Sequence, residues 1–358
     1  MPSLLKTLML LLAVGSLVSS CEMEAYDRVS NDPADWLVDR AAIFDDGAEA
    51  DGIPAINAPE FVSVAEADLG DDELVVGVVI NGEARAYPHS ILNWHEIVND
   101  VIDDEAIAIT YSPLTGTAIG YRRVIGGEPT EFGVSGLLFN ANLIPFDRAT
   151  GSHWSQVQRR SIEGELIGAD ATTVPVVETT WETWRSWYPE TTLLSRNTGF
   201  ERNYGYYPYG EYRTSDELIF PLQIDDRRRH RKDRGLGVIN STGEAAYFPL
   251  DGFYRERARF CWIGDEPFIV VGSQQHGFIV AFEAHYEDGT PLVMDAANSV
   301  DSLDMGSVFE DMEGNTWTAF GLASSGPRRG QRLTRAESFM GYWLAFGSFF
   351  ADIRIVEP

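Results

Sequence analysis

The sequence predicts an α+β chain, strand-rich, built as two homologous antiparallel-sheet units from an internal duplication. Three observations predict it. Short β-branched runs alternate with Asn-Gly and Gly-Gly turn signals, the pattern of hairpins. Helical spacing is confined to one or two short stretches per unit, so strands dominate. The chain also repeats itself. Gly82-Glu83-Ala84-Arg85-Ala86-Tyr87-Pro88 returns as Gly243-Glu244-Ala245-Ala246-Tyr247-Phe248-Pro249, and Ser112 and Gly116 return as Ser273 and Gly277, all at an offset of 161. Phe146-Asp147 with Trp154 returns as Phe309-Glu310 with Trp317 at 163, and Trp184 as Trp343 at 159. Two copies make a duplicated pair and not a solenoid.

The elements follow in order. Residues 1–20 have a short basic start at Lys6, an apolar stretch and small residues before Cys21, the pattern of a signal peptide. Leu17-Val18-Ser19-Ser20-Cys21 resembles a bacterial lipobox, so Cys21 is the expected lipidation site. The expected partner is then the membrane, through a lipid anchor at Cys21, and the expected location is the cell envelope after export. Residues 21–50 read as an acidic tether with a first ordered element near Trp36–Phe44. The first unit spans 51–215, a basic linker 216–233 and the second unit 234–358. Leu74–Ile80 and Glu83–Tyr87 read as a hairpin about Asn81-Gly82. Pro88 opens a helix over Ser90–Asn99, with Ile91, Leu92, Trp94, Ile97 and Val98 as its apolar stripe. Strands follow at Ala106–Tyr111, Thr117–Val124, Thr130–Val134, Leu137–Phe146 and His153–Val157, then a tryptophan-rich helix over Thr180–Trp187.

Composition narrows the function. At 44% hydrophobic and 23% charged the chain is globular, which excludes wholesale disorder. A net charge of −28 repels phosphate backbones, so no nucleic-acid partner is expected. The basic run Arg227–Arg234 lies in the linker and reads as a solvated stretch paired with the chain's own acids. Cys261, in an apolar setting, reads as a buried inert thiol.

Four stretches carry candidate chemistry. Ser112 and Thr115 sit in a Pro- and Gly-held turn between two strands. Ser112 there is a nucleophile if a base lies within reach, and a backbone cap otherwise. His95 and Glu96 are adjacent on the helix and point about 100° apart, so they cannot face one ligand unaided. Asn140 and Asn142 alternate onto one strand face, ahead of Asp147, Trp154 and Gln156, and serve as ligand orienters or turn fillers. The loop from Tyr204 to Tyr212, with five tyrosines, either stacks on a sugar or other planar ligand or pins itself over apolar surface.

Five stretches resemble a bacterial and archaeal family of unknown function, number 3179. They are Asp51-Gly52-Ile53-Pro54-Ala55, Asn93 to Asp100, Tyr111 to Ala118, Gly133 to Leu138, and Trp154-Ser155-Gln156. The resemblance covers nearly all of the mature chain and implies no settled activity or cofactor. In that family the position of Ser112 is commonly cysteine and that of Thr115 cysteine or selenocysteine. Hydroxyls here exclude dithiol exchange at this turn. His153 also departs from the family. Between the copies, His95 matches Glu256 and Thr115 matches His276, which places the site in the first unit.

Two readings stand. The first is an envelope-anchored binding or accessory protein holding a small ligand or metal near His95, Ser112 and Asn142. The second is a hydrolase-type enzyme using His95 as base with Ser112 or a bound water.

Overall fold

A computed structural model describes residues 32–45, 47, 49–254, 258–294 and 307–357. The leader, Cys21 and Glu256 lie outside the described residues. The first strands are β1 (Ile43–Asp45) and β2 (Phe61–Ser63). The hairpin at Asn81-Gly82 forms as expected between β3 (Leu74–Ile80) and β4 (Glu83–Pro88), both turn residues taking positive φ. Pro88, with φ −65°, then starts α1 (His89–His95).

This helix is shorter than its apolar spacing predicts. It stops at Glu96, whose φ of 58° turns the chain, and Ile97 and Val98 enter β5 (Ile97–Ile102). Pairing of that β-branched run with its neighbour outweighs the helical pattern. The neighbour is β6 (Glu105–Ser112), followed by β7 (Thr117–Arg122) and the small pair β8 (Val124–Ile125) and β9 (Glu128–Pro129). The expected Leu137–Phe146 extension is two strands. β10 (Phe132–Phe139) and β11 (Asn142–Asp147) are joined through Asn140 and Ala141, both at positive φ. Asn140 is therefore a turn residue and Asn142 a strand residue, and they do not share a strand face. After them come β12 (His153–Ser155), β13 (Arg160–Glu163), β14 (Thr173–Val174), β15 (Val177–Thr180), α2 (Trp181–Trp187) and β16 (Thr192–Leu194).

Residues 195–233 form no helix or strand. Then follow β17 (Arg234–Ile239), β18 (Ala245–Pro249), β19 (Ala258–Ile263), β20 (Glu266–Ser273) and β21 (Phe278–Glu283). The chain continues with β22 (Ser307–Glu310), β23 (Thr316–Thr318), β24 (Ala323–Ser325), β25 (Glu337–Tyr342), α3 (Trp343–Phe349) and β26 (Arg354–Ile355). The fold is thus α+β and strand-rich, with several separate sheets, ordered β1-β10-β11-β12-β13, β14-β7-β6-β5, β15-β3-β4-β16-β2, β25-β17-β18-β26, β19-β20-β21 and β22-β23-β24. Pairing is antiparallel except for β4 with β16 and β18 with β26.

Side-chain alternation buries both faces of the β3–β4 hairpin. Val76, Val78 and Tyr87 pack with Ile91, Ile107 and Ile109 on one side. Val75, Ala84 and Ala86 pack on the other under Trp181, Trp184 and Trp187, in one core with Ile269, Phe278 and Trp317 from the C-terminal half. The β17–β18 hairpin is covered likewise. Leu236, Val238 and Phe248 face Phe268 and Ile279, while Ile239 and Tyr247 share a core with Trp343, Phe346, Ile119 and Trp154.

Glycine makes the helix contacts possible. A Cβ on Gly77 would lie 2.2 Å from the Trp184 ring, and one on Gly237 2.1 Å from Phe346. Gly77→Ala is expected to force Trp184 out of place and to cost about 1–3 kcal/mol. Urea unfolding checks this. An unchanged midpoint would mean that the helix shifts freely over the sheet.

Candidate functional site

Ser112 ends β6, and its carbonyl accepts the N–H of Thr115 (3.3 Å) and of Gly116 (2.8 Å), closing the turn into β7. Gly116, at φ 63°, lies against the Tyr342 ring. Alternation along β6 sends Thr110 and Ser112 toward β11 and Tyr111 toward the β3–β4 hairpin. On the first side a polar network closes on itself. Asn142 donates to Gln156 Oε1 (2.7 Å) and Thr115 Oγ1 (2.9 Å), and the Thr117 hydroxyl donates to the same Gln156 oxygen (2.7 Å). Gln156 Nε2 donates to Thr110 Oγ1 (2.9 Å), whose hydroxyl donates to the Ile119 carbonyl (2.8 Å). Every member is sealed, none more than 1% exposed.

The structure brings Thr115, Asn142 and Gln156 together, in a satisfied neutral core with no acid or base in it. Ser112 lies at its edge, its Oγ accepting the Leu143 N–H (3.3 Å). Trp154 donates from its indole to Asp147 (3.0 Å). Asn140 points elsewhere, accepting the Gln223 N–H (2.9 Å) and donating to the Ser348 carbonyl (3.4 Å).

His95 does not meet Ser112. Its Nδ1 lies 2.7 Å from the Pro54 carbonyl, which can only accept, so Nδ1 carries the proton. Nε2 then accepts from the Tyr204 hydroxyl at 2.6 Å. Both ring nitrogens are occupied and the residue is fully buried. Burial lowers the imidazole pKa, assisted by Arg202 and opposed by the Pro54 hydrogen bond, so the ring is neutral. Glu96, turned by its positive φ, receives the Tyr209 hydroxyl on Oε1 at 3.4 Å. The adjacent pair diverges because the helix ends between them and Glu96 turns out at positive φ, and each member holds one tyrosine of the same loop. Beside them opens a cleft of about 450 Å³, walled by Gly52–Pro54, by Asn93 and Trp94, and by 201–203 and 208–209 of that loop.

Sequence reasoning missed a second group. On the other side of β6, Glu178 of β15 lies 2.9 Å from Arg234 of β17 and 2.8 Å from His89 Nε2 at the start of α1. The His89 ring packs 4.5 Å from Tyr111, and Arg213 sits 3.7 Å over the Tyr207 ring. Glu178 Oε1, Arg234 Nε, His89 Nε2 and Tyr207 Oη are buried without an aligned hydrogen-bond partner, although His89 is close to the carboxylate. Burial alone would raise the Glu178 pKa, but Arg234 and His89 outweigh it and hold the carboxylate ionised. Burial lowers the His89 pKa by more than Glu178 restores. The available signal was a carboxylate inside the short strand Val177-Glu178-Thr179, where a buried charge demands a partner.

The remaining expectations resolve simply. Arg228 pairs with Asp226, Arg229 with Asp233, Asp251 and Glu357, and Arg231 with Asp225, so the basic run is neutralised by its own surface. Among the described residues no three His, Cys, Asp or Glu side chains gather as a metal site, and no helix is long and apolar enough to cross a membrane. The expected membrane partner is corrected. Cys261, the one cysteine among the described residues, is buried with its sulfur against Arg354, where no lipid can be carried, and Cys21 lies outside those residues.

These geometries set the acid response. His89 and His95 both titrate below the ordinary histidine value of 6.5 in the folded chain. Below that value the unfolded chain takes up protons that the folded one refuses. Stability is therefore expected to be full above about pH 6.5 and to fall as pH drops toward 5. Urea midpoints across that range check it, and His89→Gln should flatten the slope. A midpoint rising on acidification would contradict the burial of both rings.

A family model described as a protein of unknown function, DUF3179, matches residues 50–353. No curated protein and no solved structure matches the chain. With the match spanning most of its length, the chain belongs to the DUF3179 family.

Proposed function

We propose that this is a binding or accessory protein whose small ligand sits in the cleft beside α1, and that it is not a hydrolase. One observation carries the reading: His95 and Glu96 are spent on holding the cleft. His95 ties Pro54 to Tyr204 and Glu96 engages Tyr209, so both walls hang on the end of one helix. They act as positioning residues. Two stretches that carry the family resemblance, Gly52–Pro54 and Asn93–Trp94, line the same cleft. Among the described residues no base lies within hydrogen-bond reach of Ser112, and Thr115, Asn142 and Gln156 serve as the core that fixes β6 and β11 behind it. The leader pattern of residues 1–20 supports an exported protein.

We also infer an internal duplication, refined to about 71–194 and 231–355. Its support is a reciprocal set of contacts. Tyr342 N donates to the Thr115 carbonyl at 2.8 Å, and Thr180 N to the His276 carbonyl at 3.3 Å. Trp181 N donates to Glu73 and Trp343 N to Asp233, at 2.8 and 2.7 Å. Trp181 then corresponds to Trp343, and Trp184 to Phe346, one helical turn away from the pairing that the sequence spacing suggested.

Two measurements test the function. Hydrolysis of p-nitrophenyl acetate is expected to be unchanged by Ser112→Ala, and a rate lost with that hydroxyl would restore the enzyme reading. In a fragment screen read by NMR, binders are expected to shift the Trp94 indole N–H. Binders that perturb other regions and leave it unmoved would remove the cleft from consideration.

A further inference from the structure

We propose that the cleft takes a neutral sugar ring laid on the face of Trp94, an inference that rests on the binding reading above. The Trp94 indole is half-buried and its edge is fixed, Nε1 donating to the Tyr206 carbonyl at 3.2 Å. Among the described residues no aromatic ring stacks on it. It therefore offers a rigid apolar plane within the cleft. Pro54 and Pro208 extend that apolar surface and carry no backbone N–H of their own.

The polar groups suit hydroxyls. Asn93 is 4% exposed, and its carboxamide makes no hydrogen bond with another described residue. Neither its Oδ1 nor its Nδ2 is among the sealed polar atoms that lack a partner, so the carboxamide opens onto the cleft and is free to bond a ligand or water there. Asn203, from the tyrosine loop, lines the same cleft. Each carboxamide both donates and accepts, as a sugar hydroxyl does, so both can bond hydroxyls of a ring whose C–H face lies on Trp94. The formal charges at the cleft, Glu201 and Arg202, cancel. With −28 on the whole chain, a phosphorylated or strongly anionic ligand is disfavoured. A volume of about 450 Å³ lies within the ordinary range of small-molecule sites and admits a short saccharide.

Titration of the full chain with cellobiose, maltose and N,N′-diacetylchitobiose, read by tryptophan fluorescence and calorimetry, tests this, with adenine as a planar ligand that carries no sugar. At least one disaccharide is expected to saturate. Trp94→Ala should weaken it at least tenfold, Asn93→Ala by a smaller factor, and Trp94→Phe should retain most of the affinity at an unchanged unfolding midpoint. The Phe variant keeps the test sound if the Ala variant unfolds. Saturation by adenine alone, dependent on Trp94, would overturn the sugar assignment and leave the cleft standing. Binding indifferent to Trp94 and Asn93 would overturn both. Failure of all three disaccharides to bind would overturn the sugar assignment, whatever adenine does.

Discussion

Two hairpins buried on both faces are the constraint from which the rest of the molecule follows. A strand pair in such a place presents two apolar surfaces and must be covered twice. Here β3–β4 and β17–β18 each receive a short aromatic helix on one side and strands on the other, and for each the helix-side core is completed by residues from the other half of the chain. Gly77 and Gly237 allow the helices close enough to exclude water. The ion pair of Glu178 with Arg234 then fixes β15 against β17 at the seam. Each charge is compensated there, while several of the surrounding polar atoms are not, so the cluster specifies an alignment more than it stabilises one.

The polar groups divide by what they touch. Carboxamides and hydroxyls of Asn142, Gln156, Thr110, Thr115 and Thr117 satisfy one another and leave nothing over for a ligand. His95 and Glu96 spend their polarity on tyrosines of the 195–233 segment, which has no regular structure of its own and owes its shape to such contacts. The carboxamide of Asn93, in the cleft those contacts create, is not spent in either way.

Local features were legible in the sequence, and long-range ones largely were not. Asn81-Gly82 announced a hairpin because only positive φ fits that turn. Tryptophan-rich spacing announced α2. The run after His95 misled, because Ile97 and Val98 satisfy a helical stripe and a strand face equally, and pairing with β6 decided the matter. Thr115, in its Pro- and Gly-held turn, and the carboxamides of Asn142 and Gln156 are visible as candidates in the sequence, and they do meet. Their closure into a neutral core was invisible, since it depends on Thr110 and Thr117 as well. Glu178, His89 and Arg234 lie far apart in sequence, and no local pattern links them. The tyrosine loop was read as either a ligand platform or a pinned cover, and its hydroxyls show how one loop serves as a cover at Tyr204 and as a cleft wall at Tyr209.

The sharing of cores between halves has a consequence for biosynthesis. The surface of Trp181, Trp184 and Trp187 is made early in translation, whereas Phe278, Phe309 and Trp317, which complete its core, are made roughly a hundred or more residues later. Domains that fold as the chain emerges bury their surfaces as they are completed. This chain cannot, so a nascent first half carries an uncovered indole face for seconds at ordinary elongation rates. The fold thus leaves closure of that first-half core to residues made well after it.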